Sequence, residues 1–331
     1  MIVINNIRSG PHPVERTGSR LLWGLLLLLS VIIYGSHAPL IALCKVEGKV
    51  PFSSSAVVLL TEATKLLLSL AFLLTWDRDW LGVPVSWRLA APFAFPALLY
   101  GANNNLVVHM QHFMDPSTYQ LLSNLKIGST AVLYSVFLHQ RLSPRKWFAL
   151  FLLTVAGMCH TYGGLRTPQN PPPPPHTQLH ITLPGLGMVL VYCLISGLSA
   201  VYTELLLKTQ NLPLNLQNLF LYSFGILVNL VAHLANGPSG GFFEGFSGWV
   251  LVILVSQALN GLMMSVVMKH SSNITRLFIV SSSLLVNGFL SFSLFSLQLT
   301  GFFFLAVLLI VFSLHLYYGI GKGHLKAIFQ V

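Results

Sequence analysis

A lysine near the middle of a long apolar run needs a reason to be there. Residues 117–137, STYQLLSNLKIGSTAVLYSVF, are apolar or weakly polar apart from Lys126. A cation at the centre of a membrane-crossing helix costs roughly 2.5–3.5 kcal/mol on the insertion scale, so it faces a wet cavity or a partner charge. Lys126 lies too deep in the run for its stem to carry the ammonium easily to an interface. Tyr119 stands two turns earlier on the same helical face, where its ring can stack on a planar group. Asn103, Asn104 and Asn105 form another polar run inside an apolar stretch. Successive helix positions point in different directions, so the three cannot all face lipid, and an amide can bond a base edge or a sugar hydroxyl. Cation, amides and aromatic ring together describe a ligand with negative charge, hydrogen-bonding edges and a π-face. A nucleotide derivative has all three.

The remaining intramembrane charges fall into pairs. Glu62 and Lys65 in TEATK are spaced i,i+3, and Glu204 and Lys208 in YTELLLK are spaced i,i+4 with the acid first. Both spacings suit ion pairs on one helix face. With Lys269, these residues are candidates for structural or gating charges. Arg276 lies nearer the end of its run. His109, His112 and Asp115 in HMQHFMD have metal-ligating side chains, but they sit at a helix end without a fourth ligand, and no metal site is expected. The chain shows no phosphate-cradling P-loop, no GxSxG element and no convincing nucleophile arrangement, so neither an enzyme nor a bound cofactor is expected. Cys44, Cys159 and Cys193 are far apart, all in or beside apolar runs, and form no disulfide framework.

The elements that must carry these residues are membrane helices. The chain is 54% hydrophobic and 8% charged, with mean hydropathy +0.73, against about 25% charged residues in an ordinary soluble domain. Its net charge of +10 is scattered between apolar runs, which reads as a topology signal rather than a nucleic-acid surface. Ten runs are candidates for crossing: 21–43, 54–75, 89–109, 117–138, 146–163, 183–207, 215–236, 248–268, 274–295 and 299–319. The run after Arg20 shows no clear small-residue cleavage site and reads as a first crossing rather than a signal peptide. Ten crossings put both termini on one side. The segments on that side hold twelve of the 18 bases, including Arg78, Arg88, Arg141, Arg145, Lys146, Lys208 and Lys269. The opposite side holds Lys45, Lys49 and Arg166. The positive-inside rule then places both termini in the cytosol.

The predicted organisation is an all-α integral membrane protein. A cytosolic tail covers 1–20, a first five-helix half 21–163, a proline-rich lumenal loop 164–182, a second five-helix half 183–319 and a second cytosolic tail 320–331. The five consecutive prolines of RTPQNPPPPPHTQLH favour a stiff extended spacer. The triplet Asn273-Ile-Thr275 falls at the cytosolic membrane edge and is expected to carry no glycan. Segments 117–163 and 273–319 are alike: each follows a polar turn, breaks briefly, and ends in an aromatic-glycine signature, TYGG or LYYG. An odd number of crossings per repeat inverts the second copy. Inverted repeats place substrate at the midplane between the halves.

Several ordered motifs resemble the nucleotide-sugar transporters of solute carrier family 35, subfamily A: LTEATKLLLSL, YGANNNL, YQLLSNLKI, SGLSAVYTELLLK and VVMKHSSNITRLF. The resemblance runs over nearly the whole chain from about residue 20. It implies ten helices in two inverted five-helix halves, in the Golgi or ER membrane with cytosolic termini. It also implies exchange of a cytosolic nucleotide sugar for a lumenal nucleoside monophosphate. Carried over by motif, the substrate-binding residues are Asn104, Asn105, Tyr119 and Lys126 in the first half. In the second they are Ser196, Tyr202, Asn218, Tyr222 and Arg276, the last standing where the family has a second phosphate-facing lysine. Asn103 replaces a glutamine, Gln217 stands where an arginine is common, and NITRLF lacks the aspartate and glycine of the family pattern. The sequence therefore predicts a Golgi antiporter for a pyrimidine nucleotide sugar (UDP-, CMP- or CDP-linked), working by alternating access. Its expected partners are that substrate pair, the lipid bilayer, and further copies or related transporters in an oligomer, with no nucleic acid. GKGHLKAIFQV shows no obvious retrieval signal, which favours Golgi over ER. The altered NITRLF segment motivates the alternative, a transporter-like Golgi scaffold or regulator of related carriers that moves no solute.

Overall fold

The computed structural model describes residues 17–46, 50–80, 86–110, 113–166, 182–235, 241–296 and 298–319. His112 and most of the expected tails and proline-rich loop lie outside these. The described residues form helices and turns without a strand. In chain order the helices are α1 (Thr17–Leu43), α2 (Ser54–Trp76), α3 (Trp87–Ala90), α4 (Ala94–Met110), α5 (Pro116–Leu122), α6 (Lys126–Phe137), α7 (Pro144–Arg166), α8 (Leu183–Thr209), α9 (Leu214–Ala235), α10 (Gly248–His270), α11 (Asn273–Phe295) and α12 (Gly301–Tyr318). Eight are long and apolar enough to cross a membrane: α1, α2 and α7 through α12. Large apolar side chains point outward along them, such as Leu21, Phe151 and Leu308, and in water such a surface would aggregate.

The other four helices form two broken tracts with separate causes. Between α3 and α4, Ala91–Phe93 winds as a 3₁₀ turn around Pro92, because proline lacks an N–H and crowds the preceding turn. Between α5 and α6 the agent is an asparagine. Nδ2 of Asn124 donates to the carbonyls of Gln120 and Leu121, each at 3.1 Å. Such back-bonding competes with the helical ladder, and Ser123–Leu125 tightens into a 3₁₀ turn. The amide rests against α7 at Gly157, where any Cβ would lie 2.2 Å from Asn124 Oδ1. Lys126 begins α6 immediately after this break.

The most extensive helix pairings are α7 with α12, α2 with α9, α1 with α11, α6 and α4 with α8, α1 with α10, α4 with α9, and α10 with α2. Each joins a helix before the proline-rich segment to one after it. The pairings trace a ring, α11–α1–α10–α2–α9–α4–α8–α6, closed through α7 and α12. Small residues bring helices close: Gly35 of α1 leaves no room for a Cβ against α11, and Ser313 of α12 donates to the Ala149 carbonyl of α7 at 2.6 Å.

One face of the ring gathers the ends of α2, α8 and α10 with the starts of α9 and α11. Asn215 Nδ2 donates to Asp77 Oδ2 at 2.8 Å, Lys208 Nζ to the Ser271 carbonyl at 2.5 Å, and Lys269 Nζ to the Leu212 carbonyl at 2.7 Å. This face carries Arg78, Lys208 and Lys269, so we call it the base-rich face. At the far face Ser55 Oγ meets His233 Nδ1 at 2.8 Å, and Phe52 packs edge-on against Phe246.

Candidate functional site

Two adjoining cavities lie inside the ring. The inner one, about 250 Å³, is lined by Tyr34 of α1, Glu62 and Lys65 of α2, Tyr100 and Asn104 of α4, Thr203 of α8, Tyr222 and Asn229 of α9, Asn260 and Ser265 of α10, and Arg276 of α11, with apolar neighbours. The outer one, about 350 Å³, runs to the far face past Phe52 and Ser54 and is lined also by His37, Thr61 and Gln257. Val58, Glu62, Lys65, Asn260 and Gly261 belong to both, so these five residues form the neck between the chambers.

At the neck, Lys65 Nζ bonds Glu62 Oε1 and also sits 4.6 Å from the centre of the Tyr222 ring. A cation over a ring face is held by the ring's quadrupole. The Tyr222 hydroxyl is fixed in turn, 3.2 Å from Ser265 Oγ. Two glycines make space for the ion pair. A Cβ at Gly261 would lie 2.6 Å from Lys65 Cδ, and one at Gly225 would lie 3.0 Å from Glu62 Oε2. Asn260 is buried, with Oδ1 lacking a hydrogen-bond partner among the described residues. A buried amide without a partner is costly unless something docks there.

Arg276 stands at the other end of the inner chamber. Its guanidinium lies within electrostatic reach of Tyr34 and bonding reach of the Tyr100 hydroxyl, which also neighbours Ser199 and Thr203. It contacts Met268 Sδ at 3.9 Å. Among the described residues the two ion pairs are Glu62–Lys65 and Glu204–Lys208, so no carboxylate neutralises Arg276. An unneutralised guanidinium lining such a chamber can attract an anion, and its planar fork can grip a phosphate through two N–H groups.

A set of bonds ties the helix ends together at the base-rich face. Glu204 is 0% exposed. Its carboxylate accepts from Lys208 Nζ at 2.7 Å and from the backbone N–H of Asn273, the first residue of α11, at 2.7 Å. Lys269 also donates to Gln217 Oε1 at 3.3 Å, and Gln217 Nε2 returns to the Gln210 carbonyl at 2.9 Å. These bonds tie α8, α9, α10 and α11 together at one end, while the outer chamber reaches the opposite face.

Of the substrate-binding residues expected from sequence, Asn104, Tyr222 and Arg276 line the inner chamber. The others lie off both linings. Lys126 is half-buried at the start of α6, near Cys193 of α8 and in no ion pair among the described residues. Tyr119 packs edge-on against Tyr192 at 5.4 Å, and Tyr202 against Phe95 at 5.0 Å. Asn105 is exposed, and Asn103 is buried beside it. The Ser196 carbonyl accepts from Ser199 Oγ at 3.2 Å. Asn218 is 1% exposed with its Oδ1 unpartnered. Asp115 caps α5 by accepting from Thr118 N at 2.9 Å, and the described residues contain no cluster of metal ligands. Sequence reasoning passed over Tyr34, His37, Tyr100 and Asn260. Tyr100 was legible: it precedes Asn104 by four residues and so shares its helix face. Asn260 was legible too, as an amide inside an apolar helix.

A profile of the family described as "Nucleotide-sugar transporter" matches residues 25–318. The Xenopus tropicalis protein named "Probable UDP-sugar transporter protein SLC35A4" is 63% identical over 311 residues, covering 94% of this chain and 96% of that one. The Homo sapiens protein of the same name is 60% identical over 304 residues, covering 90% and 94%, and that of Danio rerio is 53% identical over 300 residues. One crystal structure superposes with a TM-score of 0.67 at 12% identity, over 92% of this chain and 99% of that one. That likeness speaks to the fold alone.

Proposed function

The chain belongs to the nucleotide-sugar transporter family, and from that premise we propose that it exchanges a pyrimidine nucleotide sugar for a nucleoside monophosphate across the Golgi membrane by alternating access. The family is one of transporters rather than enzymes. The relatives' names specify UDP sugars, and the pyrimidine assignment here follows them. The cytosolic side is the base-rich face.

A ten-crossing count takes the broken tracts Trp87–Met110 and Pro116–Phe137 as crossings alongside the eight long helices. At about 1.5 Å per residue each tract is roughly 30 Å or more long, enough for the hydrocarbon core. The pairings support an inverted repeat. Shifting each crossing by five exchanges α1–α11 with α6–α8, α1–α10 with α4–α8, and α10–α2 with α4–α9. The same shift maps α2–α9 and α7–α12 onto themselves. A two-fold relation between the halves produces this pattern.

The observation that carries the function is Arg276: a cation without a carboxylate, on a chamber that also offers amides and tyrosine rings. On this reading Arg276 offsets phosphate charge, and Asn104, Tyr100 and Tyr222 bound the nucleotide. Lys126 is the corresponding cation of the first half. The altered segment around Arg276 leaves the chamber open, since Leu277 and Phe278 turn into the hydrophobic core with Ile274 and Val201. This favours transport over a scaffold role.

The test is a panel of UMP, CMP, GMP and their sugar conjugates, read first as thermal stabilisation and then as exchange into vesicles preloaded with UMP or CMP. A carrier is stabilised by its ligands, by about 2.7 kcal/mol at a hundredfold excess over Kd. Arg276→Ala abolishes stabilisation by the active nucleotides and Arg276→Lys keeps part of it. Lys126→Ala lowers uptake. A flat response of the wild-type protein across the panel would support the scaffold reading. Unchanged exchange in Arg276→Ala would remove that residue from the site.

A further inference from the structure

A third cavity, about 330 Å³, lies away from the two chambers and shares no residue with them. It is lined by Ser143, Arg145 and Lys146 at the start of α7 and by Leu316, Tyr317, Tyr318 and Gly319 at the end of α12. Arg145 is exposed and Lys146 half-buried, and neither belongs to an ion pair among the described residues. Lys146 Nζ sits 5.1 Å from the centre of the Tyr317 ring. Tyr318 is anchored by its hydroxyl, 3.1 Å from Thr275 Oγ1. Gly319 adopts φ +60, and the Arg145 guanidinium nitrogens lie 3.9 Å from where its Cβ would stand. The pocket therefore combines two cations and two tyrosines with the amide end of a 23-residue helix, whose partial positive charge also favours an anion.

The surface next to this pocket is apolar and outward-facing. Phe148 and Phe151 of α7 are exposed and stacked, and Leu308, Val311 and Phe312 are exposed on α12, the helix paired with α7. Ser313 and Ala149 are bonded across the two helices, so Phe312 and Phe148 lie at about the same depth. A basic cup at a helix end above a lipid-facing apolar surface has the polarity profile of an anionic phospholipid. A nucleotide would leave the apolar part uncovered. We propose that this pocket binds the phosphate headgroup of an anionic phospholipid, with its acyl chains lying along α7 and α12.

The proposal is independent of which solute the inner chambers carry. The full-length protein, purified in neutral detergent, is given phosphatidic acid or phosphatidylcholine and the retained lipid is measured by native mass spectrometry. Phosphatidic acid is retained in preference to phosphatidylcholine. Arg145→Gln with Lys146→Gln weakens retention about 30-fold, each base near a membrane surface being worth about fivefold. Arg145→Lys with Lys146→Arg, which keeps both charges, retains the lipid. Arg145→Gln alone, at an exposed position, supplies a folded variant with about a fivefold loss if the double variant does not fold. Equal retention of both lipids, or undiminished retention in the glutamine variants, overturns the proposal. So does equal displacement by water-soluble glycerol 3-phosphate, which would make the ligand a free phosphate.

Discussion

Removing the Glu204 carboxylate tests how the base-rich face is held. The side chain is 0% exposed and serves two donors at 2.7 Å each, Lys208 Nζ and the backbone N–H of Asn273. The first N–H groups of a helix have no partner within it, so Glu204 acts as a cap for α11 supplied by another helix. In Glu204→Ala that buried N–H is orphaned, at about 1–3 kcal/mol. The ion pair contributes less, about 0.5–1 kcal/mol, because the Lys208 side chain is 33% exposed and keeps the Ser271 carbonyl at 2.5 Å. Together with the lost packing, the alanine variant is destabilised by about 3 kcal/mol. Glu204→Gln keeps a neutral acceptor for Asn273 but loses the ion pair and weakens the bond from the Asn273 N–H, for about 1–2 kcal/mol in all. At about 2 °C per kcal/mol for a chain of this size, the apparent melting temperature falls roughly 6 °C for alanine and 2–4 °C for glutamine.

A purely structural role would produce the same ranking, so a second readout is needed. Met268 is buried and lines the inner chamber near the Glu204 bonds, which would act as a latch joining α8 to the α10–α11 turn. In a background lacking Cys44, Cys159 and Cys193, Met268→Cys should react slowly with a membrane-impermeant thiol reagent applied at the base-rich face. Adding Glu204→Gln should speed that reaction, because the bonds joining α8 to the α10–α11 turn are weakened. Melting temperatures within a degree of wild type for both Glu204 variants would refute the capping argument. Lowered melting with unchanged labelling would leave the cap and refute the latch.

Two further perturbations follow from close contacts. Gly261→Ala places a methyl 2.6 Å from Lys65 Cδ and forces the neck's cation off the Tyr222 ring. Overpacking of this kind costs about 1–3 kcal/mol, so the variant should fold with a lowered melting temperature and, on the proposed function, exchange nucleotides more slowly. Asn273 is 1% exposed with its N–H bonded to Glu204, so glycosidase treatment of protein from a glycosylating host should reveal no glycan at the Asn273-Ile-Thr275 triplet. A mobility shift that disappears in Asn273→Gln would show the segment turned outward.

Hydropathy alone located the eight long helices to within a few residues at each end, because an all-apolar surface leaves a long, unbroken signal. The two broken tracts were harder for different reasons. Pro92 announces its own break. The break before Lys126 depends on Asn124, whose back-bonding is tolerated because Gly157 of α7 leaves room for the amide, and no local pattern encodes that room. The ion pairs at 62/65 and 204/208 followed from helical spacing. The bond from Asn273 to Glu204 did not, since its donor is a backbone group 69 residues away. The chamber lining was legible in part. Asn104, Tyr222 and Arg276 come from three different helices and converge. Lys126, a cation deep in its apolar run, sits beside α8 and outside both linings.

The arrangement of pairings limits how the proposed cycle can run. Every one of the eight most extensive pairings joins the two sequence halves, so the halves cannot part as two blocks without breaking all of them at once. Lipid tails are as apolar as the helix surfaces and would not drive such interfaces back together; close packing and interhelical hydrogen bonds hold them. The helices ring the chambers, and on the proposed cycle each face would close or open through bonds at helix ends. At the base-rich face these are the Glu204, Lys208 and Lys269 contacts. At the far face they are Ser55 with His233 and the Phe52–Phe246 edge. The pairs that map onto themselves under the five-crossing shift, α2 with α9 and α7 with α12, keep the same relation in either direction and can act as fixed axes. The neck residues Glu62 and Lys65 sit on one of those axes, against Gly225 of its partner. On the proposed cycle the neck therefore stays put while the helix ends above and below it exchange their contacts.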